Sequence, residues 1–111
     1  MAKRRSQRYV VVLATCGTRR EAGLIARGVV SERLAACANV LEAPVRSVYR
    51  WKGKVEQARE FLLLIKTSQK HLAALQAQVK LLHSYDVPEF IALPIVAGSP
   101  EYLGWLGDCL P

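Results

Sequence analysis

The sequence predicts an α+β domain whose elements follow the ferredoxin-like order βαββαβ, with a short helix at the carboxyl terminus. Three patterns support this fold class: strand-like apolar runs that alternate with helical apolar spacing, a glycine reversal between two extended segments, and capping residues ahead of the helices. A chain of 111 residues with 51% hydrophobic and 23% charged residues is typical of one globular domain. We expect this domain to cover residues 9–111, after a basic disordered tail over residues 1–8.

The first strand and the first helix follow from local patterns. Residues 9–15 form a continuous run rich in β-branched side chains, which predicts a strand buried on both faces. Thr18 and Glu21 fit a capping box, and apolar residues recur at helical spacing after them. The helix is therefore expected over about residues 19–33.

The middle of the chain predicts a long hairpin. Residues 45–51 are strand-like, with a break or bulge near Pro44. Gly53 lies between two lysines and permits a tight reversal, because glycine accepts the positive φ that hairpin turns need. The returning segment, residues 55–67, is longer than the usual strand of about five or six residues. This hairpin is long enough to reach a neighbouring molecule.

The last third of the chain predicts a second helix, a strand and a terminal helix. Ser68 is expected to cap the second helix, which ends near residues 83–85. Residues 90–97 predict a strand, in which Pro94 favours an edge or irregular position. Ser99 and Pro100 supply a cap and a first-turn proline, so a short helix should close the domain.

The distribution of apolar residues predicts self-association. Right-handed crossovers place both helices on one face of the sheet and leave the other face without a covering layer. A sheet with one wet face alternates apolar and polar residues, whereas residues 10–13, 61–65 and 91–93 show no alternation. With no residues left in the chain to cover it, we expect another copy of the protein to pack on this face.

The charge and the cysteine content indicate in which compartment the protein is located and which partners it binds. The net charge is +7, and four basic residues lie within residues 1–8, before any acid, so the basicity is largely that of a tail. No apolar run approaches the roughly 20 residues that cross a bilayer. Cys16, Cys37 and Cys109 form neither a disulfide framework nor a C-x-x-C motif. We therefore predict a cytoplasmic protein with no membrane partner.

Two function classes are disfavoured by the residues present. Cys16 and His83 are the only pair that offers a nucleophile and a base, and no local catalytic signature accompanies them, so we expect no enzymatic activity. RNA-binding domains of the same element order carry several aromatic residues on a stacking strand, whereas residues 60–65 contain one. Nucleic acid is not an expected partner.

Seven segments along the chain carry a resemblance to a known family. They are residues 15–16 (TC), 32–37 (ERLAAC), 47–54 (SVYRWKGK), 62–67 (LLLIKT), 83–89 (HSYDVPE), 92–98 (ALPIVAG) and 102–106 (YLGWL). In this order they resemble the divalent-cation tolerance protein CutA. The resemblance implies a ferredoxin-like subunit in a tight homotrimer similar to the PII signalling proteins. It also implies a role in tolerance to divalent cations, particularly copper, without a defined enzymatic activity.

The resemblance and ligand chemistry together single out Cys16, His83 and Glu89 as candidate metal ligands. Thiolate and imidazole suit copper, and a carboxylate adds an oxygen ligand. The chain departs from the copper-binding pattern of the family at Ala14 and Leu82, where the pattern has a cysteine and a histidine. We therefore expect weak binding of copper or another divalent cation, and no tightly bound cofactor.

Trp51, Lys66, Tyr85 and Glu89 resemble the inter-subunit cleft of the family. Lys66 follows five apolar residues, so its ammonium group needs an acid or an anion nearby, and Glu89 is the natural candidate. These residues fit either a structural Lys–Glu pair at the trimer interface or a site for a small anionic or metal-chelate ligand. The second interpretation makes the protein a PII-like small-ligand sensor, which is the alternative to a metal-tolerance protein.

Overall fold

The structure is a computed structural model and describes residues 9–111, so the predicted tail over residues 1–8 lies outside it. The described residues form five strands and three α-helices. The strands are β1 (Tyr9–Cys16), β2 (Cys37–Val40), β3 (Val45–Trp51), β4 (Lys54–Ser68) and β5 (Ile91–Pro94). The helices are α1 (Arg19–Ser31), α2 (Leu72–Leu82) and α3 (Pro100–Asp108). Within the described part of the chain, no helix has the length and apolarity to cross a membrane.

The strands form one antiparallel sheet in the order β2-β4-β1-β5, and β3 pairs with the outer half of β4. Two βαβ crossovers, through α1 and α2, give this order, so the ferredoxin-like prediction is confirmed. Lys52 and Gly53 have φ angles of 51° and 82°, which form the predicted reversal between β3 and β4.

β2 is a strand that the sequence analysis did not predict. Val40 pairs with Leu63 and Val45 pairs with Glu60, so four residues on one strand face two on the other. Residues 41–44 therefore form a bulge with two extra residues, which confirms the predicted break near Pro44. Together β2 and β3 act as one long strand beside β4.

The Thr18 and Ser99 hydroxyls cap α1 and α3 as predicted, whereas the prediction that Ser68 caps α2 is wrong. Thr18 Oγ1 accepts the Glu21 N–H at 3.1 Å, and Ser99 Oγ accepts the Tyr102 N–H at 3.2 Å. The Ser68 hydroxyl instead lies 2.7 Å from His71 Nδ1, and a 3₁₀ turn over Gln69–His71 precedes α2. A side-chain partner thus replaces the backbone amide that Ser68 was expected to cap.

Two element ends differ from prediction. α1 stops at Ser31 because Arg33 adopts a φ of 60°, after which the Leu34 N–H bonds back to the Val29 carbonyl at 3.0 Å. β5 pairs with β1 over Ile91–Pro94, and one further bond lies beyond it, from the Ile95 N–H to the Tyr9 carbonyl at 3.0 Å.

The main core lies between the sheet and the helices α1 and α2. The register places alternate side chains of β1 and β4 on this side, including the fully buried Val12, Leu63 and Ile65. They pack with Ile25 of α1 and Leu75 of α2. Burying side chains of this size stabilises the fold by about 1.5–3 kcal/mol each.

The opposite side of the sheet carries a second apolar layer, which we call the open face. Its residues are Val11, Leu13, Leu62, Leu64, Ile91 and Leu93. The prediction that nothing in the chain covers this side is wrong in part, because α3 packs against β4 and buries Leu106 completely outside the main core. Ile91 and Leu93 nevertheless remain 50% and 47% exposed.

Candidate ligand cleft

A buried histidine anchors the loop that follows α2. His83 is 8% exposed, and its Nε2 lies 2.7 Å from the main-chain oxygen of Thr15 in β1. A carbonyl oxygen only accepts, so Nε2 carries the hydrogen and Nδ1 accepts the Tyr85 main-chain N–H at 3.1 Å. Both ring nitrogens are therefore used within the protein, and they tie the loop to the end of β1.

Glu21 holds the same loop from α1. Its carboxylate accepts the Ser84 main-chain N–H at 2.5 Å and the Ser84 hydroxyl at 3.0 Å. The sequence predicted that this carboxylate would complete a capping box at Thr18. The Glu21 carboxylate binds Ser84 instead, so it joins α1 to the loop after α2 and does not complete the cap of its own helix.

A cleft of about 610 Å³ lies between this loop and β3. Its lining residues are Thr15, Ser47, Val48, Tyr49, Trp51, Glu60, Tyr85, Asp86, Val87 and Glu89. The volume falls within the range of roughly 300–1,000 Å³ that is typical of small-molecule sites. Three carboxylates and three aromatic rings line the cleft, and among residues 9–111 no lysine or arginine does.

Tyr85 and Glu60 form the polar base of the cleft. The Tyr85 hydroxyl donates to Glu60 Oε2 at 2.9 Å, and Glu60 is only 8% exposed although it is a carboxylate. Burial, together with the nearby Glu60 carboxylate, raises the pKa of Tyr85 to about 12. The phenol therefore keeps its proton at neutral pH and remains the donor to Glu60.

Three of the four predicted cleft residues lie together, and the fourth does not. Trp51, Tyr85 and Glu89 line the cleft, whereas the Lys66 ammonium donates to the Asn39 side-chain oxygen. Lys66 and Glu89 therefore do not pair within the chain, and a pair between subunits stays a prediction. Lys66 lies six residues beyond Glu60 along β4, which is about 20 Å at the rise of a strand.

Comparison with known proteins identifies the family. The profile of the CutA1 divalent ion tolerance protein family matches residues 10–109. The chain belongs to the CutA1 family. The divalent-cation tolerance protein CutA of Thermus thermophilus is 48% identical over 98 residues, which cover 88% of this chain and 94% of that protein.

Other CutA relatives are longer than this chain. The chloroplastic protein CutA of Arabidopsis thaliana is 47% identical over 97 residues, which are 87% of this chain but 53% of that protein. The chain likewise spans 64% of a CutA homolog from Xenopus laevis. A crystal structure of CutA1 from Oryza sativa superposes with a TM-score of 0.91 at 42% identity, covering 96% of both chains. The CutA1 fold thus extends over nearly all of this chain.

The candidate metal ligands Cys16, His83 and Glu89 have different surroundings in this CutA1 chain. Cys16 is fully buried, and burial, with smaller effects of Glu21 and Glu60, raises its pKa to about 12. A protonated thiol is a poor metal ligand, and both nitrogens of His83 already have partners. Glu89 is exposed in the cleft. Over residues 9–111, no three or more His, Cys, Asp or Glu side chains are grouped to hold a metal ion.

The raised pKa of Cys16 predicts a loss of stability at alkaline pH. The folded protein keeps the thiol proton up to about pH 12, whereas an unfolded chain releases it near pH 9. The thiol therefore has no effect below pH 9, and between pH 9 and 12 it lowers the free energy of unfolding by up to about 1.4 kcal/mol per pH unit. Urea unfolding at pH 8 and pH 10.5 should show a smaller loss for Cys16→Ala than for the unmodified chain. Cys109→Ala is the control, and equal losses in Cys16→Ala and the unmodified chain would contradict the assignment.

Sequence reasoning missed Glu60, Tyr49 and Asp86 as cleft residues of this CutA1 chain. Glu60 stands directly before the apolar residues 61–65, as Lys66 stands directly after them. The signal that singled out Lys66 therefore applied equally to Glu60. Tyr49 alternates with Trp51 along β3, which places the two rings on one side of the strand.

Proposed function

We propose that this chain forms a homotrimer that contributes to divalent-cation tolerance. The observation that carries the assembly is the open face, where Leu93 and Ile91 stay about half exposed beside four half-buried apolar side chains. A contiguous apolar surface of this kind is typical of an interface between subunits. The role in tolerance is supported by the family and by the names of its relatives.

The hairpin of β3 and β4 supplies a second contact for the trimer. Near its tip, Val48 is 62% exposed and Val55 is 63% exposed. Apolar side chains at the end of an extended arm gain most from packing on a neighbouring subunit. A PII-like arrangement, in which each arm reaches the next subunit, accounts for both the arm and the open face.

Binding of divalent ions by this trimer is weak in our proposal. The exposed Glu89 is the accessible member of the predicted ligand set, and Cys16 and His83 are buried. One or two carboxylates hold a divalent ion loosely, because tight oxygen sites need about six ligands. Water then occupies most of the coordination sphere of a bound copper or zinc ion.

Calorimetric titration of the trimer with copper and with zinc tests this metal claim. We expect saturation only in about the millimolar range, and a smaller heat for Glu89→Gln, because the substitution removes the accessible charge. His83→Gln is the matched control and should leave the heat unchanged. Saturation by one ion per chain at micromolar concentration, or loss of the heat in His83→Gln, would contradict the proposal.

A second candidate function is that of a PII-like sensor of a small ligand. The observation that favours it is the cleft of about 610 Å³, which contains three of the four residues predicted for it. Its base is fixed by the bond between Tyr85 and Glu60, so the cleft exists before any ligand arrives. Glu89 belongs to both the predicted metal ligands and this cleft.

We also propose that the chain acts without catalysis, in the cytoplasm. The protonated Cys16 thiol and the fully bonded His83 ring supply neither nucleophile nor base. The cysteines of residues 9–111 are free thiols, which fits a reducing compartment.

A further inference from the structure

The charges of the cleft are opposite in sign to that of the whole chain. The net charge of the chain is +7, yet in the part of the chain that the structure describes Glu60, Asp86 and Glu89 line the cleft without a lysine or arginine. Lys66, the cation that was expected there, lies elsewhere on β4 and bonds to Asn39 of β2. The cleft is therefore a local region of negative potential, which repels anions and attracts cations.

Glu60 is the strongest feature of this region. A buried carboxylate is costly unless it is paired, because burial removes its hydration. Over residues 9–111 Glu60 forms no ion pair, and its hydrogen-bond partner is the neutral hydroxyl of Tyr85. A cation bound in the cleft would supply the missing charge.

The cleft does not suit a bare metal ion. A divalent ion needs its oxygen ligands to converge to within about 2.0–2.6 Å of one point. The three carboxylates are instead distributed around a cleft of about 610 Å³ and form no such cluster among the described residues. An organic cation that is several ångströms across can contact carboxylates that are too far apart to coordinate one metal ion.

Aromatic rings provide the rest of the lining. Tyr49 and Trp51 lie on one side of β3 and are 43% and 49% exposed, and Tyr85 of the loop after α2 lines the same cleft. The faces of such rings attract organic cations, and ammonium groups are commonly bound by aromatic rings together with a carboxylate. The exposed rings and the carboxylates thus select the same class of ligand.

We infer that the cleft binds a small organic ammonium ion, with Trp51, Tyr49 and Tyr85 around its alkyl groups and Glu60 and Glu89 balancing its charge. This inference rests on the cleft being a ligand site, as the second candidate function proposes. It replaces the anionic ligand that the sequence predicted, because Lys66 lies outside the cleft.

Fluorescence titration of Trp51 tests the inference. The chain has two tryptophans, so Trp105→Phe leaves Trp51 as the single reporter. The trimer is titrated with choline and with 3,3-dimethylbutan-1-ol, which has the same shape without the charge. We expect saturable quenching with choline, and binding of the alcohol weaker by on the order of tenfold.

Variants identify the residues that bind the cation. Glu60→Gln keeps an acceptor for Tyr85 and removes the charge, and Glu89→Gln removes a charge at the surface. Each should weaken choline binding by on the order of tenfold. Lys66→Ala, outside the cleft, should leave it unchanged. Thermal unfolding of each variant confirms that the fold is intact.

Three outcomes overturn the inference. They are equal binding of choline and the alcohol, no saturable quenching by choline, and tight binding of citrate that Lys66→Ala abolishes. Absence of quenching would mean that a neighbouring subunit, not a free ligand, fills the cleft. Light scattering on the same samples separates this result from a failure of the proposed trimer, because choline binding and the assembled mass are measured independently.

Discussion

Leu93→Asp should reduce the protein from a trimer to single chains of 12.3 kDa. Leu93 lies on the open face and is 47% exposed in the single chain, so the subunit can fold with an aspartate there. In the proposed trimer the same side chain is buried against a neighbour. An unpaired carboxylate in that place costs several kcal/mol per interface, which is enough to prevent assembly at micromolar concentration.

The matched control is Leu24→Asp. Leu24 is 55% exposed on α1, on the other side of the sheet, and its substitution should leave the mass at three times that of the chain. Light scattering at several protein concentrations measures both variants. A trimeric Leu93→Asp protein, or dissociation of both variants alike, would show that the open face is not the interface.

The assembly can then be linked to metal tolerance in cells. Cells that lack the chain should regain growth in added copper with the unmodified protein and with Leu24→Asp. Leu93→Asp should not restore growth, because a monomeric subunit lacks every surface and cleft that forms between chains. Restoration by a verified Leu93→Asp monomer would separate tolerance from the trimer.

His83→Ala is expected to lower the free energy of unfolding by about 2–4 kcal/mol. The substitution leaves a cavity, and the buried Thr15 carbonyl and the Tyr85 N–H each lose their hydrogen bond to the ring. Urea unfolding at fixed protein concentration measures the loss, since the stability of an oligomer depends on concentration. His83→Gln should recover part of it, because the glutamine amide can still donate to Thr15.

The second histidine of the chain provides the control. His71 is half-buried and bonds the Ser68 hydroxyl at 2.7 Å, so His71→Ala should cost no more than about 1 kcal/mol. If His83→Ala and His71→Ala have equal small effects, the ring of His83 does not anchor the loop. A metal role for His83 would appear separately, as a loss of stability only when copper is present.

Much of the fold followed from local patterns in the sequence. The Thr18 and Ser99 caps formed as predicted, because a cap depends on a side chain and an amide two or three residues apart. The reversal at Gly53 was also predictable, since a hairpin turn is limited by backbone sterics at two residues. β2 was missed because a four-residue strand beside a bulge carries almost no periodic signal.

The candidate site depended on interactions between distant residues. Trp51, Tyr85 and Glu89 line one cleft within the chain, while Lys66 bonds to Asn39 there and not to Glu89. Register decides which residues lie beside each other in a sheet, and it places Lys66 beside Val11 and Cys37, six residues along β4 from Glu60. Glu21 likewise left its expected helical cap to bind Ser84, a residue 63 positions further along the chain.

The sequence alone determined the family, the order of the elements and the apolar open face, because each depends on residue types and their short-range spacing. The tertiary structure decided the sign of the charge in the cleft. Seven segments that resemble CutA identify the residues near a cleft, but not which of them face it. Folding brought three carboxylates and three rings together and left Lys66 outside. The cleft predicted from the sequence would attract an anion, whereas the cleft in the structure attracts a cation.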